Sequence, residues 1–219
     1  ADDARTVVTK IVGYEAGNDS GSWTSQALLV ADRNDNADFT EDTQKIAALL
    51  PPSIQATEIF ATNLDPGTAR AEVRDALNAG QLLVNYLGHG SVEVWSGDTL
   101  LDDASAAALT NGPRLPVYLT FDCLNGFFHD VYTQSLSEAL LLNGQGGAVA
   151  IVASSGLTDA QPQAHLDRSL VQALFRNDGA TLGDALVQAK ASIKAKDVRR
   201  TYLLFGDPLL RLKAPAPRN

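Results

Sequence analysis

The sequence predicts an α/β fold, a three-layer sandwich with a mostly parallel sheet between two helix layers. Two observations predict it. Five apolar runs of strand length recur along the chain, separated by segments with helical spacing and readable ends. The runs are continuous rather than alternating, which is the pattern of strands covered on both faces. A length of 219 residues suits one large α/β unit.

The elements follow in order. Gly13 to Ser25, "GYEAGNDSGSWTS", reads as a polar loop before the first strand, "QALLVAD", which ends at Asp32. After "DFTED", the stretch "TQKIAALL" reads as a helix stopped by Pro51 and Pro52. "ATEIFAT", ending at Thr62, is the second strand. Thr68 opens a helix with Ala69, Val73, Ala76 and Leu77 on one face and Gly80 as its stop. "QLLVNYLG", ending at Gly88, and "PVYLTFD", ending at Asp122, are the third and fourth strands. Ser135 and Glu138 form a capping box before "ALLLN", a helix ending at Gly144. "GAVAIVAS", ending at Ser154, is the fifth strand. Thr181 and Asp184 cap a last helix, in which Leu182, Ala185, Leu186, Ala189 and Ile193 recur at helical spacing. Residues 1–213 read as one domain and "APAPRN", 214–219, as a tail or linker.

Composition narrows the function. Hydrophobic residues make up 45% and charged residues 20%, which is ordinary for a globular chain. A net charge of -9 repels phosphate backbones, so nucleic acid is a poor partner. No apolar run approaches the ~20 residues of a membrane span. With no signal peptide and no methionine, the sequence reads as a mature piece or an excised domain. The single cysteine, Cys123, has no partner for an internal disulfide, and no His/Cys cluster suggests zinc. That leaves a buried structural thiol or a working one.

Ligands of open parallel sheets bind beyond the carboxyl ends of the strands. Just past those ends lie Gly88-His89-Gly90, Asp122-Cys123, Asp32 and Ser154-Ser155-Gly156. The one cysteine and the most openly placed of three histidines therefore fall at the same edge. A nucleophilic cysteine needs thiolate character and a proton donor for the leaving group, and His89 can serve both needs. The N–H groups of Gly90 and Cys123 can form an oxyanion hole, with the glycines clearing space for a peptide carbonyl. The alternative for Gly-His-Gly is a tight turn with a solvated histidine. Asp122 would oppose a thiolate if it faced the sulfur, but strand alternation turns it to the other side. His129 and His165 have no evident partner and read as surface or packing histidines.

"LLVNYLGHGS" followed by "TFDCLNGFF" resembles the gingipain family of cysteine peptidases, which has a caspase-like fold. "KIVGYE", "LDPG", "GAVAIVAS" and "LLFGDPLLRL" extend the resemblance over nearly the whole chain. Cys123 follows His89 by 34 residues, which leaves room for a loop, a short helix and a strand. The resemblance implies a secreted or cell-surface bacterial endopeptidase that acts on protein or peptide substrates. His89 is then the general acid/base and Cys123 the nucleophile of a thioacyl intermediate, and Gly90 and Cys123 supply the oxyanion N–H groups. An acid behind the histidine is implied too, matched by Asp32 or, second, Asp35. An N-terminal subdomain that precedes this part in the family is expected as a partner.

For specificity, alignment brings Phe39 to the pocket position where basic-residue-directed members hold an acid. Asp38 and Glu41 flank it, and Asp159 and Ala160 fall in the pocket-wall region. A buried guanidinium without a charge partner costs several kcal/mol, so an apolar or small side chain is expected before the scissile bond. No cofactor is required. "DRNDNAD" places Asp32, Asn34 and Asn36 at the alternate spacing of a calcium loop, but Ala37 and Thr43 stand where that loop needs Gly and an acid. A calcium site and a solvated polar turn both remain open. The functional alternative to a peptidase is a non-catalytic caspase-like module for binding or assembly.

Overall fold

The computed structural model describes residues 2–17, 21–176 and 180–214. Its strands are β1 (Gln26–Ala31), β2 (Gln55–Phe60), β3 (Leu83–Leu87), the short β4 (Gly90–Ser91), β5 (Val94–Trp95) and β6 (Leu101–Asp102), then β7 (Val117–Phe121), β8 (Ala150–Ser154) and β9 (Tyr202–Phe205). Its helices are α1 (Asp2–Ala16), α2 (Phe39–Ala47), α3 (Pro66–Ala79), α4 (Asp103–Ala107), α5 (Leu136–Leu142), α6 (Ala160–Arg176), α7 (Leu182–Ala191) and α8 (Lys196–Thr201).

The main sheet has the order β2-β1-β3-β7-β8-β9. The five expected strands pair in parallel, and β9 closes the edge antiparallel to β8. Alternation sends Ala27, Leu29, Leu83, Leu119 and Val152 to a core shared with α2, α6, α7 and α8. Leu28, Val30, Val84, Tyr118 and Ile151 face the other core, with α3, α4 and α5. The expected sandwich is therefore present. β4, β5 and β6 form a separate antiparallel sheet just beyond β3.

Helix ends follow side-chain chemistry. Ser135 and Glu138 close a reciprocal capping box on α5, and the Thr181 side chain accepts from Asp184 N–H at the start of α7. Gly80 ends α3 at φ 89°, a backbone that favours glycine. Lys10 Nζ donates to the carbonyls of Leu140, Leu141 and Asn143 at 3.1, 2.8 and 3.1 Å, tying α1 to the end of α5.

Several boundaries differ from expectation. Gly13 to Ala16 finish α1, and Ser22–Ser25 form a 3-10 turn, so that stretch is not a continuous loop. Only Tyr14 of α1 is buried, so its apolar stripe is too thin to read. α2 starts at Phe39, where Asp38 accepts from Glu41 N–H, and α3 starts at Pro66 behind an Asp65 cap. β2 is an edge strand with four of six residues exposed, not a strand covered on both faces. Of the expected tail, 215–219 lie outside the described residues.

Candidate active site

The sheet brings His89 and Cys123 to one level. β3 and β7 are neighbours, with Leu87 opposite Phe121. Gly88 N–H donates to Phe121 O at 3.2 Å, carrying the ladder one residue past the strand. His89 and Cys123 each stand two residues beyond that matched pair, on chains whose strands lie ~4.8 Å apart.

The backbone of His89 is held on both sides. Its N–H donates to Asp32 Oδ2 at 3.0 Å. Its carbonyl accepts from Tyr86 Oη at 2.6 Å and from Ser96 N–H at 2.8 Å. Asp32 is buried and also receives Ser96 Oγ at 2.6 Å and Arg33 N–H at 2.7 Å. The imidazole has different neighbours. Its Nε2 lies 2.7 Å from Asp35 Oδ2, and Phe39 meets the ring edge-on at 5.3 Å between centroids. Of the two acids expected behind the histidine, Asp35 touches the ring and Asp32 grips the main chain. The His89 bond, followed by the Ala37 N–H, holds the Asp35 carboxyl below its ordinary range.

The hairpin after His89 orients Gly90. Ser96 N–H bonds His89 O, so His89 and Ser96 are the hydrogen-bonded pair, and Gly90 opposite Trp95 is the non-bonded pair. The Gly90 N–H therefore points away from β5. The Cys123 N–H has no hydrogen-bond partner among the described residues. Asn125, two residues past the cysteine, donates to the carbonyls of Ser91 and Val94 and ties the cysteine turn to the hairpin.

The glycines flanking His89, expected to clear space for a substrate carbonyl, are required here by buried side chains. A Cβ at Gly88 would collide with Asp32 and the Tyr86 hydroxyl, and one at Gly90 would lie 2.5 Å from Asp122 Oδ2. Asp122 is fully buried, and both its carboxyl oxygens lack partners among the described residues. Burial pushes this carboxyl well above the ordinary range, and Asp32 pushes it the same way.

Cys123 faces the opposite side. Its Sγ lies 3.3 Å from Thr158 O and 3.4 Å from Thr158 N, in the loop between β8 and α6. Leu124 follows at φ 66°, a left-handed backbone rare for leucine, and turns the chain sharply after the sulfur. Gly126 N–H then bonds Ser154 O at 2.9 Å. Ser96, Asn125 and Thr158 were not anticipated. Of these, Asn125 alone carried a signal, its place two residues after the cysteine in "TFDCLNGFF".

The expected pocket residues scatter. Phe39 is buried against His89 rather than open as a pocket floor. Asp38 caps α2, and Glu41 pairs with Lys45 at 3.0 Å. Asp159 is exposed and Ala160 partly buried, both next to the Thr158 loop. His129 lies against the Phe127 and Phe128 rings, and His165 is exposed on α6. Of the calcium-loop candidates Asp32, Asn34 and Asn36, the first two are bound to other partners and Asn36 is exposed. Asp32 is committed to the donors above, Asn34 Oδ1 accepts from Thr40 N–H at 3.1 Å, and Asn34 Nδ2 donates to Asp38 at 2.8 Å. Among the described residues no group of three or more His, Cys, Asp or Glu side chains is arranged to hold a metal ion. No described helix is long and apolar enough to cross a membrane.

A mostly parallel sheet with a histidine and a cysteine at adjacent strand ends has the architecture of the caspase-like fold. The sequence profile of peptidase family C25 matches residues 1–213, and the chain belongs to that family. It is 27% identical to gingipain R2 of Porphyromonas gingivalis over 235 residues, which covers 99% of this chain and 32% of the relative. Gingipain R1 of the same organism is also 27% identical, with 24% of its length covered. The crystal structure of the Arg-specific cysteine proteinase gingipain R superimposes with a TM-score of 0.85 at 26% identity, over 97% of this chain and 53% of that one. A complex of the P. gingivalis RgpB pro- and mature domains gives 0.83 at 25% identity. The chain thus spans about half of the solved relatives and a third or less of the curated ones.

Proposed function

We propose that this chain is the catalytic part of a cysteine endopeptidase, with residues 1–213 as its catalytic subdomain. The observation that carries the reading is the matched register of His89 and Cys123, two residues beyond Leu87 and Phe121 on neighbouring strands. The thiolate of Cys123 attacks a peptide carbonyl carbon, and the carbonyl electron pair moves onto oxygen. The N–H groups of Gly90 and Cys123 receive that oxyanion. His89 gives its proton to the departing amine, leaving a thioester on Cys123. It then takes a proton from the water that hydrolyses the thioester. Asp35 orients the imidazole, while Asp32, Tyr86 and Ser96 fix the main chain beneath it. No cofactor enters these steps.

The expected substrate is a protein or peptide outside the bacterial cytoplasm, and the expected partner is the further N-terminal subdomain of the same protein. A preference for an apolar or small residue before the scissile bond is supported by the commitments of Asp38 to α2 and Glu41 to Lys45. Peptide-library cleavage by the wild-type protein and by Cys123→Ala tests the reading. Cleavage that vanishes in the folded variant is expected. Equal cleavage by both removes Cys123 from the mechanism, and none by either supports the non-catalytic module.

A further inference from the structure

We propose that Gln163, together with the Thr158 backbone, forms a cradle for the Cys123 thiolate, with Gln163 as a positioning residue for the nucleophile. The inference rests on reading Cys123 as that nucleophile. Gln163 stands in the first turn of α6 and is only 2% exposed. Its Nε2 lies 3.8 Å from Cys123 Sγ. The same nitrogen donates to Thr158 Oγ1 at 2.7 Å and approaches Thr158 O at 3.3 Å. The Thr158 hydroxyl thus fixes one amide hydrogen and aims the other between the Thr158 carbonyl and the sulfur.

Ionisation changes the worth of these contacts. In the thiol form, sulfur donates to Thr158 O and accepts from Thr158 N–H. When the S–H bond breaks, the electron pair stays on sulfur and the proton passes to the His89 imidazole. Sulfur can then only accept. The Thr158 N–H and a Gln163 N–H remain aimed at it, and donors to an ion are about twice as strong as donors to a neutral atom. Thr158 O, having lost the thiol proton, shares that same Gln163 N–H with the sulfur.

The titratable groups of the segments that meet here are His89 beyond β3, Asp122 at the end of β7, Asp159 before α6, the buried Asp167 one turn past Gln163 on α6, and Tyr202 on β9. Asp122 turns toward Gly90 on the other side, and Tyr202 Oη donates to Asp122 O at 3.0 Å.

The test is the rate of Cys123 alkylation by iodoacetamide as a function of pH, in wild type and in Gln163→Leu. The midpoint of the variant's curve should lie about one pH unit higher, so that below the wild-type midpoint the variant reacts about tenfold more slowly. Gln163→Glu should move the midpoint further, because an acceptor replaces the donor. Superimposable curves from folded variants overturn the cradle. If neither variant folds by circular dichroism, the Gln163 side-chain amide resonances of the wild-type protein decide. They should move with the alkylation midpoint, and resonances indifferent to thiolate formation overturn the proposal. Peptide cleavage is not the readout, so a wild-type protein that cleaves nothing counts against the peptidase reading and leaves the cradle to the alkylation curves.

Discussion

His89 Nε2 lies 2.7 Å from Asp35 Oδ2, while Asp32, three residues earlier, binds the His89 main-chain N–H at 3.0 Å. The two acids divide one task. Asp32 sets where the histidine stands, and Asp35 sets how its ring turns.

Asp35→Asn should lower kcat about two- to fivefold with little change in KM. The effect is modest because both partners are exposed, Asp35 by 45% and His89 by 61%. The depressed Asp35 carboxyl contributes above its unfolded value, near pH 4, and that contribution is lost as pH falls through the folded value. Kinetics across pH check this, and an unchanged kcat would remove Asp35 from the site.

Gly90→Ala should cripple turnover through Asp122. The new methyl would stand 2.5 Å from a buried carboxyl oxygen, a strain of about 1–3 kcal/mol that shifts the Gly90 N–H. Asp122→Ala in the Gly90→Ala background should recover part of the lost stability. A double-mutant cycle by thermal unfolding measures the coupling, and strict additivity would show that the two positions do not meet.

The pH dependence of stability should carry the mark of Asp122 and Asp167. Both are fully buried, and burial raises both carboxyls well above the ordinary range. Asn85 Nδ2 donates to Asp167 Oδ1 at 2.7 Å, while Asn85 Oδ1 and Asp167 Oδ2 have no partner among the described residues. A proton on Asp167 Oδ2 can satisfy Asn85 Oδ1 and close a two-bond acid–amide pair. For a raised acid the folded state binds the proton more tightly. Its stability contribution is complete below the unfolded value, near pH 4, and falls as pH rises toward the folded value, by about 1.4 kcal/mol per unit for each acid. Asp122→Asn and Asp167→Asn should each flatten this fall, apart from a constant offset. Denaturant titrations at pH 5 and pH 8 measure it, and equal pH slopes in wild type and variants would contradict it.

Matched peptides that differ only before the scissile bond test specificity. Apolar or small residues should be cleaved best. A hundred-fold preference for Arg or Lys, worth about 3 kcal/mol, would refute this and point to Asp159, which lies exposed beside the Thr158 loop.

Much of this arrangement is legible in the sequence because it depends on local signals. Continuous apolar runs announce β1, β3, β7 and β8, and a lone cysteine and a glycine-flanked histidine stand just past two of them. The capping residues of α5 and α7 are equally local. What escaped depends on distance. Which acid reaches the His89 ring is decided by the turn from Asp32 to Asp38, where alternation no longer applies. Ser96 meets Asp32 only because the β4–β5 hairpin folds back over the end of β1. Gln163 reaches the sulfur from a helix 40 residues later. The need for glycine at 88 and 90 arises from Asp32, Tyr86 and Asp122, whose approach no spacing rule reveals.

The most direct measurement is to trap the acyl group on Cys123. The protein is mixed with a peptide pool, quenched in acid within the first turnover and digested, and the peptide bearing Cys123 is examined by mass spectrometry. A thioester on Cys123 is expected in wild type, accumulating more slowly in His89→Ala and absent from Cys123→Ala. Peptide hydrolysis at the wild-type rate by Cys123→Ala, or hydrolysis by wild type with the acyl group found on another residue, would contradict the assignment of Cys123 as the nucleophile.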